Sequence, residues 1–145
     1  MRRRFLAGLT AAVCAQLLLS ANADESSEPI SGLLVDEAIV TPASIGSTAV
    51  GRFRLENVSG RTLVLTGAKA RWAKAARIVI RGGSGRVDSI SALAIKENET
   101  LNLQSSHLWV EFIDILRPLQ NGETIDFELV FAAGVVTVSA HVHRD

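Results

Sequence analysis

Sulfur is almost missing from this chain. Its 145 residues hold one cysteine, Cys14, and one methionine, Met1. A single cysteine cannot build a disulfide framework or a Cys-rich zinc site. An excess of one charge is missing too. Lys+Arg number 15 and Asp+Glu number 15, so the chain lacks the basic balance of a general nucleic-acid binder. There is no tyrosine and little proline. The apolar run over residues 5–19 is shorter than the roughly 20 residues a membrane-spanning helix needs. Hydrophobic residues nevertheless make up 48% and charged residues 21%, which excludes a disordered or collagen-like chain.

The N-terminus reads as an export signal. Arg2, Arg3 and Arg4 precede the apolar run, and Ser20-Ala21-Asn22-Ala23 supplies an A-x-A cleavage site before Asp24. Residues 1–23 are therefore predicted to be a signal peptide and the periplasm to be the destination. The arginines also fit a twin-arginine pattern, whereas Leu17-Leu18-Leu19 favours the general export route. Cys14 is not expected to carry lipid, because bulky Val13 precedes it. Cleavage would remove Met1, Cys14 and three arginines, leaving 122 residues of net charge −3 with no sulfur. That composition suits an oxidising compartment. It also excludes cysteine nucleophiles, thiolate metal sites and dithiol redox chemistry.

Residues 24–29 are acidic and Ser-rich and are expected to form a flexible lead into one domain spanning residues 30–145. Along that domain apolar residues recur with period two, the pattern of half-buried strands. The rows are Phe53 and Leu55, Leu63 and Leu65, Ile78 and Ile80, Leu101 and Leu103, and Leu108, Val110 and Phe112. Ile125, Phe127, Leu129 and Phe131 follow, then Val136, Val138, Ala140 and Val142. Turn signals fall between them at Asn57-Val58-Ser59-Gly60, Gly82-Gly83-Ser84-Gly85, Asn121-Gly122 and Ala133-Gly134. About eight short strands so spaced predict an all-β domain, a single β-sandwich. Residues 68–76, rich in Ala, Lys and Arg, predict one short turn of helix or a connector.

Catalytic patterns are not found. Gly82-Gly83-Ser84-Gly85 lacks the Gly-Lys-Ser/Thr ending of a phosphate loop and reads as a hairpin. No nucleophile elbow or His-Glu-x-x-His occurs, and Glu97 and Glu99 read as solvated charges. The expectation is a protein that is not an enzyme. Two other features stand out. Nine Lys/Arg against only Glu56 lie between Arg52 and Arg86. They predict either cross-strand pairing with the acidic flanks or a basic face for an acidic partner or anionic surface. His141-x-His143 puts two imidazoles on one strand face, with Cβ atoms roughly 6–7 Å apart. Such a pair can take copper(II) or zinc, with His107 as a possible third ligand.

Phe53-x-Leu55-x-Asn57-x-x-Gly60, Leu101-x-Leu103, Arg117-Pro118-Leu119-x-x-Gly122-x-Thr124, Leu129-x-Phe131 and Val136-x-Val138 occur in an order that resembles the periplasmic copper chaperone PCu(A)C family. The resemblance covers residues 30–142 and implies a cupredoxin-like sandwich that hands Cu(I) towards oxidase assembly. It also implies a copper site made of a His and a Met near the middle strand and a later His-x-Met. Carried onto this chain, those positions fall on Arg81 and Gly83, and on Trp109 and Glu111. None is a thioether or an imidazole, so the donors that favour Cu(I) are missing. The expectation is a PCu(A)C-like protein of metal homeostasis or oxidase assembly with a degenerate Cu(I) site, whose partner is a periplasmic or membrane-attached protein. The alternative is a metal-free interaction module using its basic face.

Overall fold

A computed structural model describes residues 30–144. The leader, its cleavage site and the acidic lead lie outside the described residues. Ten strands follow in chain order: β1 (Leu33–Val40), β2 (Ala49–Asn57), β3 (Leu63–Lys69), β4 (Ala73–Arg81), β5 (Val87–Ile90), β6 (Leu93–Ile95), β7 (Thr100–Asn102), β8 (Leu108–Ile115), β9 (Thr124–Phe131) and β10 (Gly134–Val142). They pair in the order β5-β4-β8-β2-β1-β10-β9-β3-β6, with β7 also on β2. The expected all-β architecture is present, with ten strands where the periodicity indicated about eight. The rows leave out β1, β5 and β6: β5 is four residues and β6 three, too brief for period two to stand out, and eight-residue β1 is interrupted by a register shift between Asp36 and Ile39.

This long ribbon folds over on itself to make the sandwich. Phe53 of β2 and Phe112 of β8 meet Phe127 of β9 at ring-centroid distances of 5.6 and 5.2 Å, although β9 stands far along the strand order. Trp72 adds to the cluster, 4.5 Å from Phe112. These rings, with Leu55, Leu65, Ile78, Ile115 and Leu129, are fully buried or nearly so and form one core. The ribbon turns at β1, where the register with β2 shifts between Asp36 and Ile39. Glu37 sits in the bulge with φ 55°, and only beyond it do Ile39 and Val40 pair in parallel with His141 and Val142. Gly51 admits the Phe112 ring: a Cβ there would stand 2.9 Å from Cε2.

One polar side chain, Asn57, is fully buried among the described residues. Its Nδ2 donates to the carbonyls of Arg61, Ile95 and Lys96 at 2.7, 2.9 and 3.1 Å. Its Oδ1 accepts from the backbone N–H and the hydroxyl of Ser59 at 3.0 and 2.6 Å. Asn57 thus replaces backbone pairing where β2 leaves the sheet, as buried polar groups must be satisfied.

Of the two readings of residues 68–76, a turn of helix or a connector, the structure forms no helix and the segment joins two strands. That segment is the end of β3, a turn at Ala70-Arg71-Trp72, and the start of β4. Its composition suits a helix, but nine residues cannot repay helix nucleation. Ladder bonds to β9 and β8 and burial of Trp72, whose Nε1 donates to the Asp126 carbonyl at 2.8 Å, prevail. The Gly82–Gly85 hairpin forms as read, with Gly82 N–H on Arg86 O at 2.9 Å. Glu97 and Glu99 are exposed, but Glu99 also accepts from the Lys96 backbone N–H at 2.7 Å and so closes its turn.

The basic segment meets the acidic flanks. Arg54 pairs with Asp36, Lys69 with Glu128, Lys74 with Asp114, Arg77 with Glu111 and Arg86 with Asp88. Five of the nine cations are thereby matched to carboxylates from outside the segment, so it does not present one continuous basic face.

Candidate functional site

The antiparallel pairing of β4 with β8 builds the candidate site. The register sets Arg77 opposite Glu111, Val79 opposite Trp109 and Ile80 opposite Leu108. Because side chains alternate, Ile78, Val110 and Phe112 enter the core while Arg77, Val79, Trp109 and Glu111 project from the outer face. Val79 and Trp109 are buried on that outer face and belong to no part of the core cluster. Arg81 lies over the indole, its guanidinium carbon 5.3 Å from the Trp109 ring centroid.

The four positions carried over from the copper family are thus all placed. Arg81 and Trp109 touch each other as a cation–π pair. Glu111 is nearby on β8, but its Oε2 is held by Arg77 Nε at 2.8 Å and Nη2 at 2.7 Å. Gly83 lies in the exposed tip of the β4–β5 hairpin and brings no side chain. This set does not fit Cu(I): it has no sulfur, one committed carboxylate, and a fixed positive charge over the aromatic ring. Among the described residues, no three His, Cys, Asp or Glu form a metal-holding group.

The histidines are divided between two places. Continuing the β4–β8 register sets His107 opposite Arg81, and Arg81 N–H donates to His107 O at 2.8 Å. His107 therefore stands beside the Arg81–Trp109 pair. His141 is on β10 between Ile39 and Thr124, its Nδ1 3.4 Å from Thr124 Oγ1. His143 follows β10, with its N–H on Val40 O at 3.0 Å. Both are exposed, and buried Val142 separates them. Strands β2 and β1 intervene between β8 and β10, so His107 is not assembled with the other two.

The segment before β8 is held from two sides. Arg52 Nη1 donates to the carbonyls of Gln104 and Ser105 at 3.2 and 3.5 Å. Gln104 Nε2 donates to Glu37 Oε2 at 2.8 Å. The β1 bulge therefore fixes the approach to His107. Sequence reading missed this network and the Arg81–Trp109 contact, since both depend on register between distant strands. Elsewhere, an open groove of about 920 Å3 runs beside Lys69, Arg71, Trp72, Leu116 and Asp126 and gathers no catalytic set. No helix among the described residues is long and apolar enough to cross a membrane.

The all-β, cupredoxin-like sandwich matches the fold of PCu(A)C domains. A family model described as "Putative lipoprotein LpqE-like" matches residues 33–142. The chain belongs to this LpqE-like family, which is of the PCu(A)C type. A copper-bound PCuAC domain from PmoF2 superposes with TM-score 0.68 at 19% identity, covering 82% of this chain and 98% of that one. The apo PCuAC domain from PmoF1 gives TM-score 0.68 at 17% identity over 82% and 99%. The solution structure of CuI-DR1885 from Deinococcus radiodurans gives TM-score 0.61 at 26% identity over 86% and 84%. No curated protein matches.

Proposed function

We propose that this chain is an exported, periplasmic PCu(A)C-like protein that has kept the copper-chaperone fold and lost the Cu(I) site. It serves metal homeostasis or oxidase assembly by binding a protein partner, and it is not an enzyme. The observation that carries this reading is the Arg81 guanidinium over Trp109 at two of the family's ligand positions. A guanidinium stays charged and has no lone pair to give a metal. The soft donors that Cu(I) prefers are missing from the sequence after residue 14. Support for the fold and its copper-chaperone lineage comes from the family match and the PCuAC domains described above.

Competition for Cu(I) against a thioether-containing chelator tests the proposal. The purified protein should leave Cu(I) with the chelator. Stoichiometric capture by the protein would overturn the reading.

A second reading rests on the exposed pair His141 and His143. Any remaining transition-metal binding is assigned to them, as a weak copper(II) or zinc site with two imidazole donors.

A further inference from the structure

Three cations of β4 stand across from three residues of β8 or the segment before it. Lys74 meets Asp114 at 3.7 Å and Arg77 meets Glu111 at 2.7 Å. The third, Arg81, stands opposite His107 by continuation of the register and donates its backbone N–H to the His107 carbonyl at 2.8 Å. On its other flank the β5 register sets Val87 opposite Arg81. The nearest charged residues on these strands are already matched, Arg77 with Glu111 and Arg86 with Asp88. Among the described residues no carboxylate lies within ion-pair distance of Arg81, although the two cations below it on the same ladder each have one.

We infer that the Arg81–Trp109 pair, flanked by His107 and Val87, is a recognition point for a carboxylate side chain on an acidic segment of a partner protein. The inference rests on the proposed loss of the Cu(I) site and gives that position a ligand of its own. Stacking on the indole limits the rotamers of Arg81, so less conformational entropy is lost when its fork accepts a carboxylate. Trp and Arg are the residues most often found at the energetic centre of protein interfaces. Val87, 41% exposed, offers apolar contact beside the charge.

A protein carboxylate is favoured over a membrane or a nucleic acid by the number of available charges. An anionic bilayer is recognised through clusters of about 4–8 Lys/Arg, and duplex nucleic acid through many phosphate contacts. Here the cations around Arg81 are neutralised in pairs, leaving one stacked guanidinium. That is a point contact suited to one carboxylate within a larger protein surface.

The test uses the protein as secreted and an acetylated, amidated hexaglutamate peptide as probe, with hexaglutamine and phosphatidylglycerol vesicles as the other arms. Binding is followed by Trp emission and by the Arg81 Nε–H NMR resonance. Hexaglutamate should shift both signals, and hexaglutamine and vesicles should shift neither. Arg81→Ala should weaken hexaglutamate binding by about tenfold or more, Arg81→Lys should restore only part of it, and Arg86→Ala should leave it unchanged. Unfolding midpoints of the variants separate lost binding from lost fold. Equal binding by Arg81→Ala, no binding by the wild type, or a preference for vesicles would each overturn the inference. Cu(I) competition on the same samples is independent: tight Cu(I) capture overturns the proposed function, whereas weak capture with no peptide binding overturns only this inference.

Discussion

Trp109 points away from the core and is nevertheless only 8% exposed, and Arg81 of the neighbouring strand lies across its ring at 5.3 Å. At the end of β8 an aromatic side chain would otherwise open to water. The arginine stem and guanidinium supply an amphipathic cover instead, apolar towards the indole and charged towards solvent.

Removing that cover should expose the indole. Arg81→Ala is expected to shift Trp emission to the red and to cost about 0.5–1 kcal/mol of stability, the range of exposed cation–π pairs. Chemical denaturation with emission spectra checks both. Trp72, held in the core by its bond to Asp126 O, should contribute no shift. An unchanged spectrum would mean that Arg81 does not shield Trp109 in solution.

Asn57 should be among the costliest polar positions to change. Asn57→Leu fills similar volume but leaves the carbonyls of Arg61, Ile95 and Lys96 without their shared donor. A loss of about 2–4 kcal/mol is expected, since several buried acceptors go unsatisfied at once. Ser59→Ala removes the hydroxyl bond to Asn57 Oδ1 and the exposed contacts with the Arg61 backbone, but leaves the Ser59 N–H on Oδ1, and should cost about 1 kcal/mol. Urea unfolding of the two variants gives the comparison, and equal losses would contradict it.

Gly51→Ala tests the packing of the aromatic cluster. The new methyl would sit 2.9 Å from Phe112 Cε2, so the ring must move towards Phe127 or Trp72. Overpacking of this kind costs about 1–3 kcal/mol. A thermal midpoint equal to that of the parent would show that the ring relocates freely.

Copper(II) titration addresses the remaining imidazoles. Replacing His141 and His143 together with Ala should abolish weak copper(II) uptake, and His107→Ala should leave it intact, because β2 and β1 separate the two places. The double variant should stay folded, since both side chains are exposed while Val142 keeps its buried place. Uptake should fall on acidification, because a protonated imidazole is no longer a ligand. Copper(II) binding that survives the double substitution would place the metal elsewhere.

Much of this protein could be read directly from its residues. Period two along Ile125–Phe131 and Val136–Val142 reports which side of each strand is apolar, and burial of those side chains follows from the hydrophobic effect whatever the neighbours are. That no Cys or Met follows residue 14 was equally legible, and it is the compositional support for the proposed loss of the Cu(I) site. Residues 68–76 show the limit of local propensity, because Ala, Lys and Arg favour a helix that pairing with β8 and β9 overrides. Charge followed the same rule: the basic run over residues 52–86 was visible, but only register decided that Lys74 and Arg77 meet acids and that Arg81 does not. The division of the histidines, His107 beside Arg81 and His141 three strands along, was likewise set by strand order. A sequence states the side-chain chemistry and its period. Which chemistries face each other across a sheet depends on non-local hydrogen bonding, and that exists only once the strands have paired.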